Sequence, residues 1–163
     1  KRAGWSDMTE VNRQYPFLLR AYANDIASHT VFYDGALDAV TQLRATGFAV
    51  AICTNKPETL AVQLLTELGL LDYFDVIIGA DTLTVRKPDP APFWAAVDRS
   101  GGDRNRCCLI GDTQTDRLTA ENANIPCILV SFGPGGGDMA ALSPAALLTA
   151  FADLPALAAH LLG

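Results

Sequence analysis

Four short, unbroken apolar runs restrict this chain to a narrow class of folds. They are Phe48-Ala49-Val50-Ala51-Ile52-Cys53, the centre of Asp75-Val76-Ile77-Ile78-Gly79, Cys107-Cys108-Leu109-Ile110, and the centre of Pro126-Cys127-Ile128-Leu129-Val130-Ser131, with strands expected over 48–53, 75–79, 107–110 and 127–131. Each is too short for a helix and lacks polar alternation, so each reads as a strand buried on both faces. Between them the apolar residues change to helical spacing, as in Leu60, Leu64, Leu65 and Leu68, or Phe93, Trp94 and Val97. Strands that alternate with helices predict an α/β fold, a parallel sheet covered by helices on both faces. In such sheets ligands collect at the carboxyl ends of the strands, so the residues just after each run carry the most functional information.

The remaining segments fit that frame. Tyr15, Leu18, Leu19, Tyr22 and Ile26 predict an amphipathic helix over Met8 to Ala27, with Pro16 kinking or restarting it. Residues 31–36 read as a turn into a helix from Leu37 to Ala45, closed by Gly47. His29 reads as a loop residue. Pro57 and Pro90 each suit a first helical position, and Gly69 and Gly101-Gly102 suit helix ends. Phe132-Gly133-Pro134-Gly135-Gly136-Gly137 lacks the Gly-Lys-Ser/Thr ending of a phosphate-binding loop and reads as a mobile surface loop. An edge strand over Ala146 to Ala150 and a helix over Leu154 to Leu162 complete the chain.

Three of the strand-end or loop segments carry polar groups with chemical potential. After the third run come Gly111-Asp112-Thr113-Gln114-Thr115-Asp116, two carboxylates four residues apart. Such a pair repels unless a cation neutralises it, and oxygen-only ligation suits Mg²⁺ better than zinc. The same residues equally describe a helix cap shared by Asp112 and Thr113 with a solvated Asp116 behind it. After the first run, Thr54-Asn55-Lys56-Pro57 stands at a helix N-terminus, a place that binds phosphate, or that is simply capped. Lys87 lies in Arg86-Lys87-Pro88-Asp89-Pro90, where Pro88 favours an extended lysine able to aim at a fixed anion. Taken alone, a loop lysine is ordinary solvated surface.

Composition narrows the partners. The chain has 163 residues and a formal charge of −6, which argues against nucleic acid or an anionic membrane surface. No apolar run approaches the roughly 18 residues of a membrane span. Cys53, Cys107, Cys108 and Cys127 sit in or beside the apolar runs without metal or redox spacing, and read as small hydrophobes. A soluble, cytoplasmic protein is expected, with its oligomeric state open.

In combination, Ala51-Ile52-Cys53-Thr54-Asn55-Lys56, Lys87 in Arg86-Lys87-Pro88-Asp89-Pro90, and Gly111-Asp112-Thr113-Gln114-Thr115-Asp116 resemble three motifs of the haloacid dehalogenase superfamily of phosphatases. Within it the chain looks most like the phosphoglycolate phosphatase group, the similarity running from about Asp34 onward and including Leu70-Leu71-Asp72-Tyr73-Phe74-Asp75. The resemblance implies a Rossmann-like three-layer α/β/α core with a parallel sheet. It further implies Mg²⁺-dependent hydrolysis of a small phosphorylated metabolite through an aspartyl-phosphate. Thr54, Asn55 and Lys87 would bind substrate, Thr54 and Lys87 would serve the catalytic step, and Asp112 would bind Mg²⁺ with Asp116 supporting it.

One motif of that family has no counterpart here. Members carry Asp-x-Asp-x-Thr after an opening strand, with the first Asp as nucleophile; at Asp34-Gly35-Ala36 the nucleophile's place would fall on Phe32, which cannot attack phosphorus. Residues 1–30 are therefore expected to be the end of a helical cap domain and residues 31–163 a core domain whose first strand lies upstream. That strand would sit centrally, between those ending at Thr54 and Gly111. A catalytically inactive relative that binds a phosphorylated ligand is the competing reading.

Overall fold

The computed structural model describes residues 32–133 and 138–163, together with Arg13, Ile26 and Thr30. The chain divides into two compact units, Lys1–Val31 and Phe32–Gly163. In the first unit, Arg13 is helical, Ile26 is buried, and the Thr30 hydroxyl donates to the Ile26 carbonyl at 3.2 Å. The expected helix over Met8 to Ala27 and the loop assignment of His29 otherwise fall outside the described residues.

In the second unit, five parallel strands alternate with helices. The strands are β1 (Ala51–Cys53), β2 (Val76–Ile78), β3 (Leu109–Gly111), β4 (Cys127–Val130) and β5 (Ala146–Leu148). The helices are α1 (Ala36–Ala45), α2 (Glu58–Glu67), α3 (Ala91–Arg99), α4 (Gln114–Ala123) and α5 (Leu154–Leu162). All four apolar runs and the edge segment become strands, shorter than expected. At the start of β1, Val50 N–H donates to the Asp75 carboxylate at 2.9 Å while Asp75 N–H donates to Val50 C=O at 2.9 Å, so a side chain replaces one rung of the ladder. β3 begins two residues later than expected and takes in Gly111. Pro57 and Pro90 sit at N-cap positions, one residue outside the helices they were expected to start.

Pairing is confined to two groups. β1 pairs with β2, and β3, β4 and β5 pair in that order, all parallel. Among the described residues no strand joins β1 to β3, the position in which the missing family strand is expected.

The strand β4 shows how both faces are covered. Ile128 and Val130 pack with Ala39 and Leu43 of α1, Leu148 of β5, and Leu154 and Ala158 of α5. The alternate residues Cys127 and Leu129 face the other way, onto Phe93 and Val97 of α3 and Ala120 and Ala123 of α4. Period-2 alternation thus feeds two cores from one strand, the property that made the run read as wholly apolar. The helix α3 also packs on β1 and β2, so one helix covers parts of both strand groups. Trp94 is half-buried, with the Arg104 guanidinium 5.0 Å from its ring centroid and bonded to Asp98.

Candidate active site

The strand ends bring the three polar segments of the sequence together. Thr54 follows β1, its N–H donating to Ile78 C=O at 2.9 Å and continuing the ladder for one bond. Its hydroxyl accepts from Lys56 N–H at 3.1 Å, a local turn typical of Ser and Thr, and donates to no described residue. The hydroxyl proton is thereby uncommitted among the described residues.

Lys87 and Asp116 form the centre of the site. Lys87 Nζ lies 2.6 Å from Asp116 Oδ1, and their side chains are only 11% and 7% exposed. A lysine this enclosed is not the solvated surface residue that a loop position would suggest. The other oxygen, Asp116 Oδ2, accepts from Thr113 Oγ1 at 2.6 Å, from Thr113 N–H at 3.1 Å and from Asp112 N–H at 3.3 Å. Burial pushes the Asp116 carboxyl up, but the Lys87 charge and these hydrogen bonds outweigh it and hold it below the ordinary carboxylate value. Asp116 is therefore an anion with both oxygens engaged.

The helix α4 begins on this network. Thr113 is its N-cap, with a reciprocal capping box between Thr113 and Asp116. The cap reading holds for Thr113 but not for a solvated Asp116, which is 5% exposed. Thr113 takes the cap, Asp116 closes it, and Asp112 is left over: half-buried, its carboxylate accepts no hydrogen bond from a described residue. Two glycines make this crowding possible. A Cβ on Gly111 would stand 2.3 Å from the Asp116 Cβ, and one on Gly133 would stand 2.8 Å from the Asp112 Cβ. Pro134 to Gly137, the rest of the expected mobile loop, lie outside the described residues.

Asn55 has a different immediate partner from the one its sequence position suggested. Its side-chain amide donates to Lys87 C=O at 3.0 Å. Asn122, which sequence reasoning passed over, donates in the same way to Pro88 C=O at 2.9 Å. Nothing in its local sequence marks it, because it stands on an exposed face in the last turn of α4.

All four cysteines are free, and burial pushes Cys108 and Cys127 up to about 11. Cys53 at the end of β1 is raised by burial and also feels the charges of Lys87 and Asp116, which places it near the ion pair.

Among the described residues, Asp112 is the carboxylate of this group that stays open to a metal. Among the described residues no group of three or more His, Cys, Asp or Glu side chains converges. Mg²⁺ commonly takes one or two carboxylates and fills its octahedron with water and phosphate oxygens, so Asp112 fits such an ion as a single ligand. Zinc, which prefers a closed set of nitrogen and sulfur donors, has no such set among these residues.

Comparison with known proteins gives the family. A family model described as haloacid dehalogenase-like hydrolase matches residues 4–130. A phosphoglycolate phosphatase of Rhodospirillum rubrum is 38% identical over 153 residues, covering 94% of this chain and 64% of its own length. One of Mesorhizobium japonicum is 35% identical over 145 residues, covering 89% of this chain and again 64% of its own. The crystal structure of a predicted phosphoglycolate phosphatase from Haemophilus somnus superposes with a TM-score of 0.79 at 26% identity, covering 89% of this chain and 64% of that one. The chain thus spans a little under two thirds of the relatives it matches. With the three motif segments meeting at one edge of a parallel α/β fold, and the family model covering most of the sequence, the chain belongs to the haloacid dehalogenase-like hydrolases.

Proposed function

We propose that the whole protein hydrolyses a small phosphate monoester of the phosphoglycolate type with Mg²⁺ as cofactor. The observation that carries this reading is the buried Lys87–Asp116 pair beside the Asp112 carboxylate, which accepts no hydrogen bond from a described residue. A cation and an oxygen ligand are thereby held where a dianionic phosphate would arrive.

The roles follow from charge and reach. The Thr54 hydroxyl donates to a phosphate oxygen, and Lys87 offsets charge that develops on the transferring phosphoryl group. Asp116 keeps Lys87 charged and placed. Asp112 is the residue that would hold Mg²⁺, with Asp116 supporting it through the Asp112 and Thr113 backbone rather than through a free oxygen. When bound, the ion would neutralise phosphate charge and help orient the ester. Asp116 has no oxygen left for attack and Asp112 is committed to the ion, so we assign the nucleophilic carboxylate and its aspartyl-phosphate to a segment outside residues 1–163. The coverage of the relatives supports that assignment. A cytoplasmic location accords with four unpaired cysteines, and among the described residues no helix is long and apolar enough to cross a membrane. The formal charge of −6 favours a small phosphorylated metabolite over nucleic acid.

The test is phosphate release from 2-phosphoglycolate by the full-length protein, with Mg²⁺ and with the ion chelated. Turnover should require the ion and fall by roughly 10²-fold or more in Lys87→Ala, the size of effect seen when one preorganised electrostatic donor is removed. Full activity in that variant would exclude the site. Phosphate binding without turnover by the wild type would identify a ligand-binding relative instead.

A further inference from the structure

The loop from Gly79 to Pro90 contains no helix or strand of its own, yet it must present a buried ammonium at a fixed point. Two side-chain amides hold its backbone at consecutive residues. Asn55 Nδ2 donates to Lys87 C=O at 3.0 Å and Asn122 Nδ2 to Pro88 C=O at 2.9 Å. The donors come from different strand groups: Asn55 follows β1, whereas Asn122 lies on α4, which follows β3. Asp116, the acceptor for Lys87 Nζ, is on α4 as well, six residues before Asn122 and so about 9 Å away along the helix axis. The Lys87-Pro88 segment is therefore fixed to α4 at two separated points, once through the lysine side chain and once through the Pro88 carbonyl.

We propose that Asn122 is a positioning residue of the phosphate site, setting the place of the Lys87 backbone so that its ammonium stays on Asp116 and aims at bound phosphate. The proposal deepens the functional reading above and rests on it for the identity of the anion. A lysine stem has several rotatable bonds, and an ammonium is a point charge without the fork of an arginine; its aim depends on where its Cα is held. A carbonyl can only accept, so it is the amide N–H of Asn122 that matters. Both Asn55 and Asn122 are exposed, and bonds that compete with water add little to folding. Their effect belongs in placement, where a shift of about 1 Å can cost far more rate than stability.

The experiment uses the full-length protein and its Asn122→Ala and Asn122→Gln forms. In Asn122→Ala, kcat for phosphate release from 2-phosphoglycolate should fall about fivefold or more with a smaller change in KM, while the thermal midpoint stays near that of the wild type. Asn122→Gln, which keeps the donor, should recover much of the loss. A second readout needs no turnover: brief acetylation with dilute acetic anhydride, read by mass spectrometry, should label Lys87 several-fold more in Asn122→Ala, with label on Lys56 unchanged. Asn55→Ala combined with Asn122→Ala should depart from additivity, because both hold one segment. Unchanged Lys87 labelling in Asn122→Ala would overturn the proposal, as would a lowered thermal midpoint with unaltered labelling and kcat. Absence of turnover in the wild type would refute the functional reading alone, and Lys87 labelling would still decide the role of Asn122.

Discussion

At the scale of single residues, the informative contrast is between the two halves of the buried ion pair. Among the described residues Lys87 has one carboxylate partner for its ammonium, at 2.6 Å, whereas Asp116 has Lys87 and three further donors from Asp112 and Thr113. Removing the acid leaves a buried ammonium uncompensated; removing the lysine leaves a carboxylate still bonded. Asp116→Asn should therefore destabilise by about 3–5 kcal/mol and Lys87→Met by clearly less, compared by urea denaturation at pH 7. Equal losses would show that the Thr113 and Asp112 bonds contribute nothing to holding the charge. The pH dependence has a definite sign. The Asp116 carboxyl, pushed up by burial but pulled further down by Lys87 and its hydrogen bonds, lies below its ordinary value of 3.8. Its ionisation stabilises the fold above that value, and the contribution disappears as pH falls through the lowered one. The acid limb of the stability curve should be shallower in Asp116→Asn.

At the scale of elements, β4 is the strand on which packing depends most. Ile128 and Leu129 are wholly buried on opposite faces, one in the core with α1 and α5 and the other in the core with α3 and α4. Leu129→Ala should cost about 2–5 kcal/mol, because a strand caught between two helical layers cannot shift to fill a hole on one side without opening one on the other. Ile110, in the middle of β3, is 40% exposed and is the internal comparison. Ile110→Ala should cost the 163-residue chain well under half as much, measured in the same denaturation series. Similar values at the two positions would mean that the strands share one uniform core.

At the scale of the whole molecule, the division of the strands into β1-β2 and β3-β4-β5 leaves the facing edges of β1 and β3 without a ladder partner among the described residues. Shared helical cover, chiefly from α3, links the two groups in its place. Unpaired edges are templates for other chains. The polypeptide Lys1 to Gly163 on its own should therefore associate at micromolar concentration, seen by light scattering, and should bind phosphate without hydrolysing it. A stable monomer that hydrolyses 2-phosphoglycolate would place the nucleophile on a carboxylate within this chain.

What the sequence determined by itself is local and periodic. Unbroken runs such as 76–78 and 127–130 announced doubly covered strands, helical spacing announced their crossovers, and chain direction alone put Thr54, Asn55, Asp112 and Asp116 at the same sheet edge. Tertiary packing decided which of those groups are used up and which stay open. Lys87 meets Asp116 across 29 positions, Asn55 meets the Lys87 carbonyl across 32, and Asn122 meets that of Pro88 across 34. No residue propensity encodes such meetings. They depend on how loops cross above the strands once helices have packed, and a side-chain amide reads the same in sequence whether it faces a phosphate, water or a carbonyl of its own chain.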